Sequence, residues 1–282
     1  MRSVTEFWHS ARLPHLESRR SCQEITCYRP HIHDRFSIGS IDSGTTTFTG
    51  ASGEPVPLAA GDVILIPAGH VHSCNPEHGL WEYQMIHADQ GWLSALLPDP
   101  PERLLSEITV LRDRGLHDRF GAINDLLFAD SAPERVAAGF RDLLRRCAAI
   151  VPRRRIVPDI DAALATRLGP VFERLRRDDA KPSLDELARL AGMDKYRLIR
   201  AMKRATGLSP MAWRQNDRVL AAREMLREGR SPAETAYTLG FTDQSHFHRV
   251  FRAHVAATPG VYRHRLNSVQ DRAGGLGPGL AG

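Results

Sequence analysis

Two sets of side chains in this 282-residue sequence carry chemistry by their type and spacing. The first is a pair of polar clusters: Lys195, Tyr196 and Arg197 with Arg200, and Gln244, Ser245 and His246 with Arg249. Arginine matches guanine edges and glutamine matches adenine edges, so such groups on an exposed helix can read bases in a major groove. The second set is histidine. His31 and His33 stand two residues apart, and His72 follows the turn Pro67-Ala-Gly69. Neutral imidazoles can hydrogen-bond an effector, join a carboxylate around a divalent metal, or titrate near neutral pH.

The elements around the polar clusters are written twice. Ser183 with Glu186 forms a capping box that starts a helix. Leu184, Leu187, Ala188 and Ala191 share one face, and Gly192 ends the helix. Asp194 then caps a second helix, about 195–205, with Leu198, Ala201 and Met202 inward and the basic residues outward. Ser231-Pro-Ala-Glu234 repeats the box, with Pro232 at the first helical position, where its missing N–H is harmless. Ala233, Ala236 and Leu239 face inward, Gly240 stops that helix, and Phe241 plugs the core. Thr242 or Asp243 caps a last helix to about His254, burying Phe247, Val250 and Phe251. A long helix at about 210–228 joins the two units, with Trp213, Val219, Leu220 and Leu226 buried. Its Arg214, Arg218 and Arg223 are candidate phosphate contacts, with solvated arginines as the alternative.

The stretch Gly240-Phe-Thr-Asp-Gln-Ser-His-Phe-His-Arg-Val-Phe251, with Thr258-Pro259, Tyr262-Arg263 and Thr206-Gly-Leu-Ser-Pro210, resembles the signature of AraC-type bacterial transcription regulators over roughly 100 residues. The resemblance implies two recognition helices in successive major grooves on one face of the duplex. The positions matching the family's base-contacting residues are Lys195, Tyr196 and Arg200, then Gln244, Ser245 and Arg249. Ala256 stands where the family usually has Gly, Thr235 where it has Ile or Val, and Pro232 where it has an aliphatic residue. These departures mark a slightly altered second unit.

The net charge of +5 is unevenly spread. Residues 159–265 hold 20 Lys+Arg against 13 Asp+Glu, and the remainder holds 18 against 20. The basic excess thus falls where phosphate must be neutralised. No apolar run is long enough to span a bilayer, and the N-terminus lacks an apolar secretion segment, so a cytoplasmic protein without a membrane partner is expected. Cys22, Cys27, Cys74 and Cys147 are too scattered for a zinc pattern or a disulfide framework.

From Ile25 to about Asp89 the texture is β: short runs such as 45–49, 56–60, 63–67 and 81–87, separated by Gly and Pro, predict a small antiparallel barrel or jelly roll. Residues 1–24 read as a strand or arm. Gly61-Asp-Val-Ile-Leu-Ile-Pro-Ala-Gly-His-Val-His72 resembles the second cupin motif, and His31-Ile-His33 the start of the first. In AraC-type regulators such a barrel binds a small effector, and the resemblance implies the same here. His31, His33, Phe36, His72, Tyr83 and Met85 are the expected effector-binding residues, forming a mixed polar and apolar pocket. The carboxylate that cupin enzymes carry shortly after the first motif is missing; Ser37 and Ile38 lie there. The expectation is therefore no catalytic residue, no metal and no cofactor. His70, His78 and His87 read as ordinary surface or strand residues.

From Gly91 to Ile150 the pattern reads as helical. Trp92, Leu93, Leu96 and Leu97 form an apolar patch, Leu104, Leu105, Ile108 and Leu111 recur at helical spacing, and Ser131-Ala-Pro-Glu134 caps a further helix. In the family such helices form the dimer contact. Val151-Pro-Arg-Arg-Arg-Ile-Val-Pro158 reads as a solvated linker. A helix over 160–177 opens the basic half, and the Gly-rich end reads as disordered.

The expected architecture is α+β: a cupin-like β-barrel with flanking helices at 1–150 for effector binding and dimerisation, a linker at 151–158, an all-α DNA-binding domain with two helix-turn-helix units at 159–266, and a tail at 267–282. The expected function is a cytoplasmic, homodimeric, sequence-specific regulator, not an enzyme, whose hold on promoter DNA is modulated by a small effector. RNA polymerase is the partner expected of an activator. The alternatives are a cupin-type metal-dependent enzyme fused to a DNA-targeting domain, and a DNA-coating protein with little sequence preference.

Overall fold

The computed structural model describes residues 4–24, 28–50, 53–76, 79–97, 102–157, 161–177 and 181–263. The sequence readings on Cys27, His78 and the 267–282 tail fall outside these residues.

Strands alternate their side chains between two faces, and the N-terminal half uses this to build two antiparallel sheets. The larger contains β1 (Val4–Trp8), β2 (Leu16–Glu24), β8 (Leu80–Ala88), β3 (Phe36–Ser43), β6 (Asp62–Ile66), β9 (Ile108–Arg112) and β10 (Arg154–Ile156), in that spatial order. The smaller contains β5 (Pro55–Ala59), β4 (Thr45–Gly50) and β7 (His72–Pro76). Phe48, Val56 and Leu58 of the small sheet pack on Ile41, Ile64, Trp81 and Tyr83 of the large one. The opposite face of the large sheet carries Phe36, Ile38, Val63 and Leu65. It is covered by α1 (Gln90–Ala95), α3 (Arg114–Phe128) and α4 (Pro133–Ala149), through Leu93, Phe120 and Phe140. All five residues of β6 are buried, as expected of a strand covered on both faces.

Three sequence readings change here. Ile108 and Leu111 are not helical: only α2 (Glu102–Ser106) is, and Ile108–Arg112 is β9, whose first four residues are all buried. A short apolar run covered on both sides has no periodicity to separate strand from helix. The linker is partly folded, because Arg154 and Ile156 pair with Val110 and Ile108 on β9. Arg153 and Arg112 converge at 2.9 and 2.7 Å on Asp62, whose carboxylate is wholly buried and needs compensating charge. The expected helix over 160–177 is two, α5 (Ala162–Arg167) and α6 (Gly169–Arg176), interrupted at Leu168 before Gly169-Pro170. In addition, the cap of α4 is Ala132 rather than Ser131, with Pro133 at the first turn.

The C-terminal half is helical: α7 (Leu184–Leu190), α8 (Lys195–Thr206), α9 (Pro210–Arg227), α10 (Pro232–Thr238) and α11 (Gln244–Val255). Leu187, Ala188, Leu198 and Met202 close the first unit's core, and Ala236, Phe247, Val250 and Phe251 close the second. Ser183 and Ser231 accept from the N–H of Glu186 and Glu234, and the reciprocal half of the box forms at Glu234. Asp194 and Asp243 cap α8 and α11, accepting from Arg197 and His246. Gly192 and Gly240 both adopt φ of +62°, the left-handed turn between the helices of each unit.

The helices dock directly on the sheets. Phe7 of β1 enters the second unit's core and meets Tyr262 edge-on, with ring centres 4.9 Å apart. Asn216 of α9 exchanges two hydrogen bonds with the backbone of Ile32, at 2.9 and 3.1 Å. Gly207, at the end of α8, lies so close to Val71 that a Cβ there would sit 2.0 Å from its Cγ1.

Candidate functional site

The candidate residues fall on two surfaces, an outer one on α8 and α11 and an inner one between the sheets and α9. On the outer one, the caps and glycines fix α8 and α11 so that their N-terminal turns project from the body. Lys195, Tyr196, Arg197, Arg200, Gln244, Ser245 and Arg249 are all exposed and His246 half-buried, while Leu198, Met202, Phe247 and Phe251 hold the opposite faces inside. Tyr196 is 75% exposed. Lys195 pairs with Asp185 at 2.9 Å across the first unit.

Arg214 and Arg223 of α9 do not join this surface. Arg214 is buried and donates to the carbonyls of Leu175 and Arg177. Arg223 is buried and faces the double sheet, and Arg218 donates to the Gly240 carbonyl. The reading of Arg214 and Arg223 as phosphate contacts, or as solvated arginines, is corrected: both are buried and turned to internal acceptors.

The inner surface is a partly open cavity of about 50 Å³ between the two sheets, α9 and the end of α11. Of the residues expected from the sequence to bind an effector, His31, His33, His72, Tyr83 and Met85 line it. Phe36 does not. It lies fully buried in the core on the far face of the large sheet, because β3 turns residues 36 and 38 toward α3 and α4 and Gly39 and Ile41 toward the cavity. His87 is also a cavity residue rather than an ordinary strand residue: it is buried, and its ring lies 4.3 Å from that of His33. His70 does not line the cavity; its Nδ1 bonds to the Ala68 carbonyl.

The cavity's charged wall has no counterpart among the residues expected from the sequence. Glu17 of β2 is 1% exposed and accepts from Arg223 at 2.7 Å, Arg227 at 2.6 Å and the Tyr262 hydroxyl at 2.7 Å. Burial alone would raise its carboxyl, but the two guanidiniums hold it well below the usual carboxylate range. Arg19, also buried, donates to Tyr28 and Ser21 and to the Val255 carbonyl of α11, and stacks over Tyr83. Glu17 and Arg19 sit alone among polar residues on an edge-proximal strand, and no local pattern announces partners more than 200 positions away.

Burial, then mutual repulsion, drives the imidazoles of His31 and His33 well below the ordinary histidine range, and burial brings His72 to about 4. Burial pushes the Cys74 thiol up to about 12, so it is no thiolate near neutrality. Cys74 and Cys147 are free thiols. His31, His33 and His72 form a cluster whose ligand atoms lie within 4.8 Å of one another.

An AraC-like ligand-binding domain matches residues 14–145, and a helix-turn-helix domain matches residues 187–265. The arabinose operon regulatory protein of Salmonella typhimurium is 25% identical over 235 residues, covering 75% of this chain and 78% of that protein. The uncharacterised HTH-type transcriptional regulator YbfI of Bacillus subtilis is 24% identical over 245 residues, 82% of this chain and 86% of that protein. Among solved structures, wild-type ToxT of Vibrio cholerae, crystallised with an unsaturated fatty acid bound, superposes with a TM-score of 0.55 at 12% identity, covering 94% of this chain and 96% of that one. That likeness extends the shared fold across both halves.

Proposed function

Because this chain belongs to the AraC-type transcription regulators, we propose that α8 and α11 read promoter DNA while a small effector, held between the double sheet and α9, governs their hold on it. The observation that carries this reading is the position of α9. One helix joins the two DNA-reading units and also forms a wall of the cavity, through Arg223. The cavity as it stands has room for little more than an ion and a few waters, so a larger effector must move α9 or the end of α11 to enter. An effector that binds the displaced arrangement better shifts the population, and with it the placement of the recognition helices.

The lining narrows the effector class. Ile41, Leu58, Ile64 and Trp81 offer apolar surface, and beside it lie two buried cations, Arg223, which is paired with Glu17, and Arg19, whose side-chain hydrogen bonds go to the neutral Ser21 and Tyr28. A small acid with an apolar body fits this chemistry, in line with the fatty acid bound by ToxT. The basic excess of the C-terminal half serves either mode of binding, and the exposed amide and guanidinium groups of α8 and α11 support sequence-specific binding over coating. The protein is a regulator and not an enzyme, acts as a homodimer where the chromosome is, in the cytoplasm, and contacts RNA polymerase when it activates. Residues 1–150 and 159–266 serve as its sensing and DNA-binding domains.

The test is selection of bound sites from random DNA by the full-length chain, with and without a panel of small carboxylic acids. A motif with two contact blocks about one helical turn apart, 10–10.5 bp, is expected, its enrichment changed by at least one acid. Failure to enrich any motif would refute sequence-specific recognition. A motif indifferent to every acid would refute the proposed effector class.

A further inference from the structure

A second cavity, of about 390 Å³, lies on the helix-covered side of the large sheet, among α2, the end of α4 and the linker strand β10. It is several times larger than the inner cavity and falls in the range of small-molecule sites, about 300–1,000 Å³. Leu104, Ile150 and Pro152 give it apolar surface, and Thr109 of β9 adds a hydroxyl. Its charged lining is of one sign: Arg103 of α2 and Arg155 of β10, with no carboxylate among the described residues.

The three consecutive arginines of the linker fare differently. Arg153 pairs with the buried Asp62, and Arg154 pairs with Glu54. A strand alternates its faces, so Ile156 packs into the core between the sheets while Arg155, opposite Thr109, turns to the helix side. There it joins Arg103, and neither guanidinium has an ion pair or a hydrogen bond among the described residues. A guanidinium presents a planar fork of donors that matches an oxyanion in bidentate fashion. The end of α4 also reaches this cavity, and its dipole brings about half a negative charge that works against an anion. Two full positive charges outweigh it. A monoanion would leave one guanidinium unmatched. A phosphate monoester, with close to two charges at neutral pH and three acceptor oxygens, matches both.

We propose that Arg103 and Arg155 bind the phosphate of a small organic phosphate monoester, whose apolar body lies against Leu104 and Ile150, and that the bound molecule ties the linker strand β10 to α2. The site is separate from the inner cavity of the function proposed above, because no residue lines both. It gives the chain a second input, placed at the root of the linker between its two halves. Its failure leaves the proposed regulator and its inner effector standing.

The experiment is calorimetric titration of the full-length chain with phenyl phosphate at pH 8, with benzoate and inorganic phosphate as comparison probes. One phenyl phosphate per chain is expected, bound at least tenfold more tightly than either comparison probe. Arg103→Gln and Arg155→Gln should each weaken it by about tenfold or more, the loss of one charge-assisted fork. Ala148→Trp, which fills the cavity and leaves both arginines in place, should abolish binding. Arg145→Gln, exposed on α4 outside the cavity, should bind as wild type does. Phenyl phosphate should also slow tryptic cleavage of the wild-type chain after Arg154 and Arg155. Absence of saturable binding, or binding undiminished in both Arg103→Gln and Arg155→Gln, overturns the site. Benzoate or inorganic phosphate held as tightly, and lost in the same variants, overturns the ligand class. Cleavage that is not slowed overturns the tie to the linker.

Discussion

Thr235 is fully buried on α10, and its hydroxyl meets no hydrogen-bond partner among the described residues. An unpaired buried hydroxyl costs about 1–3 kcal/mol relative to an apolar group of the same shape. Thr235→Val should therefore stabilise the chain by about 1 kcal/mol or more, measured as a higher urea midpoint with unchanged slope; an equal or lower midpoint would contradict the assignment. On the surface proposed to read DNA, Gln244 and Arg249 stand exposed on a helix capped by Asp243. Arg249→Ala or Gln244→Ala should relax preference at one base-pair position, costing about 1–3 kcal/mol on the best site. A uniform loss across all sequences would show that the residue meets phosphate instead. These residues were legible in the sequence because exposure on a capped helix is a local property. Phe36 was not, since which face of β3 fronts a cavity depends on which sheet covers it.

At the scale of elements, the end of α11 is its weak point. Ala256 adopts φ of +56° as the helix cap, a left-handed conformation that costs a residue with a Cβ about 1–2 kcal/mol. Glycine removes that strain, although its freer unfolded chain gives back part of the gain, about 0.5–1 kcal/mol. Ala256→Gly is thus expected to raise stability by up to about 1 kcal/mol, and a lower melting temperature would argue that packing of the methyl outweighs strain. Gly207 shows the opposite constraint: φ is +74° and Val71 fills the space where a Cβ would go, so docking of the first unit depends on the missing side chain. The caps, glycines and inward stripes of α7 to α11 could be read directly, because a helix states its own ends and buried face within a few residues. β9 and β10 could not, since a strand buried on both faces or held at a sheet edge by Asp62 depends on residues 40 to 90 positions away.

For the whole molecule, Glu17 is the joint between sensing and reading halves. Substituting it leaves Arg223 and Arg227 buried without their carboxylate, and breaking a buried pair in this way typically costs about 3–5 kcal/mol. Glu17→Gln should lower the melting temperature of the full chain or release α9 to proteolysis; a variant indistinguishable from wild type in both would show that Phe7, Asn216 and Arg19 hold the halves together unaided. The pH dependence has a definite sign. A carboxyl held below its unfolded value near 4.5 contributes stability that is complete above that pH and is lost as pH falls through the depressed folded value. The stability gap between wild type and Glu17→Gln should therefore stay constant from about pH 8 to about pH 5 and shrink only below about pH 4.5. A gap that changes most between pH 6 and 8 would assign it to another group.

The sequence by itself determined the two helix-turn-helix units, the outward residues of α8 and α11, and a double-sheet N-terminal half bearing three cavity histidines. Each of these is encoded by short-range rules: caps at fixed offsets, glycine at left-handed turns, apolar periodicity and motif spacing. Only the tertiary structure decided that Arg223 and Arg227 of α9 close on Glu17, that Phe7 belongs to the second unit's core, and that His87 rather than Phe36 faces the cavity. The reason is physical. A buried charge is stable only where an opposite charge is delivered to it, and that delivery depends on how two separately encoded halves pack, which no stretch of sequence specifies on its own.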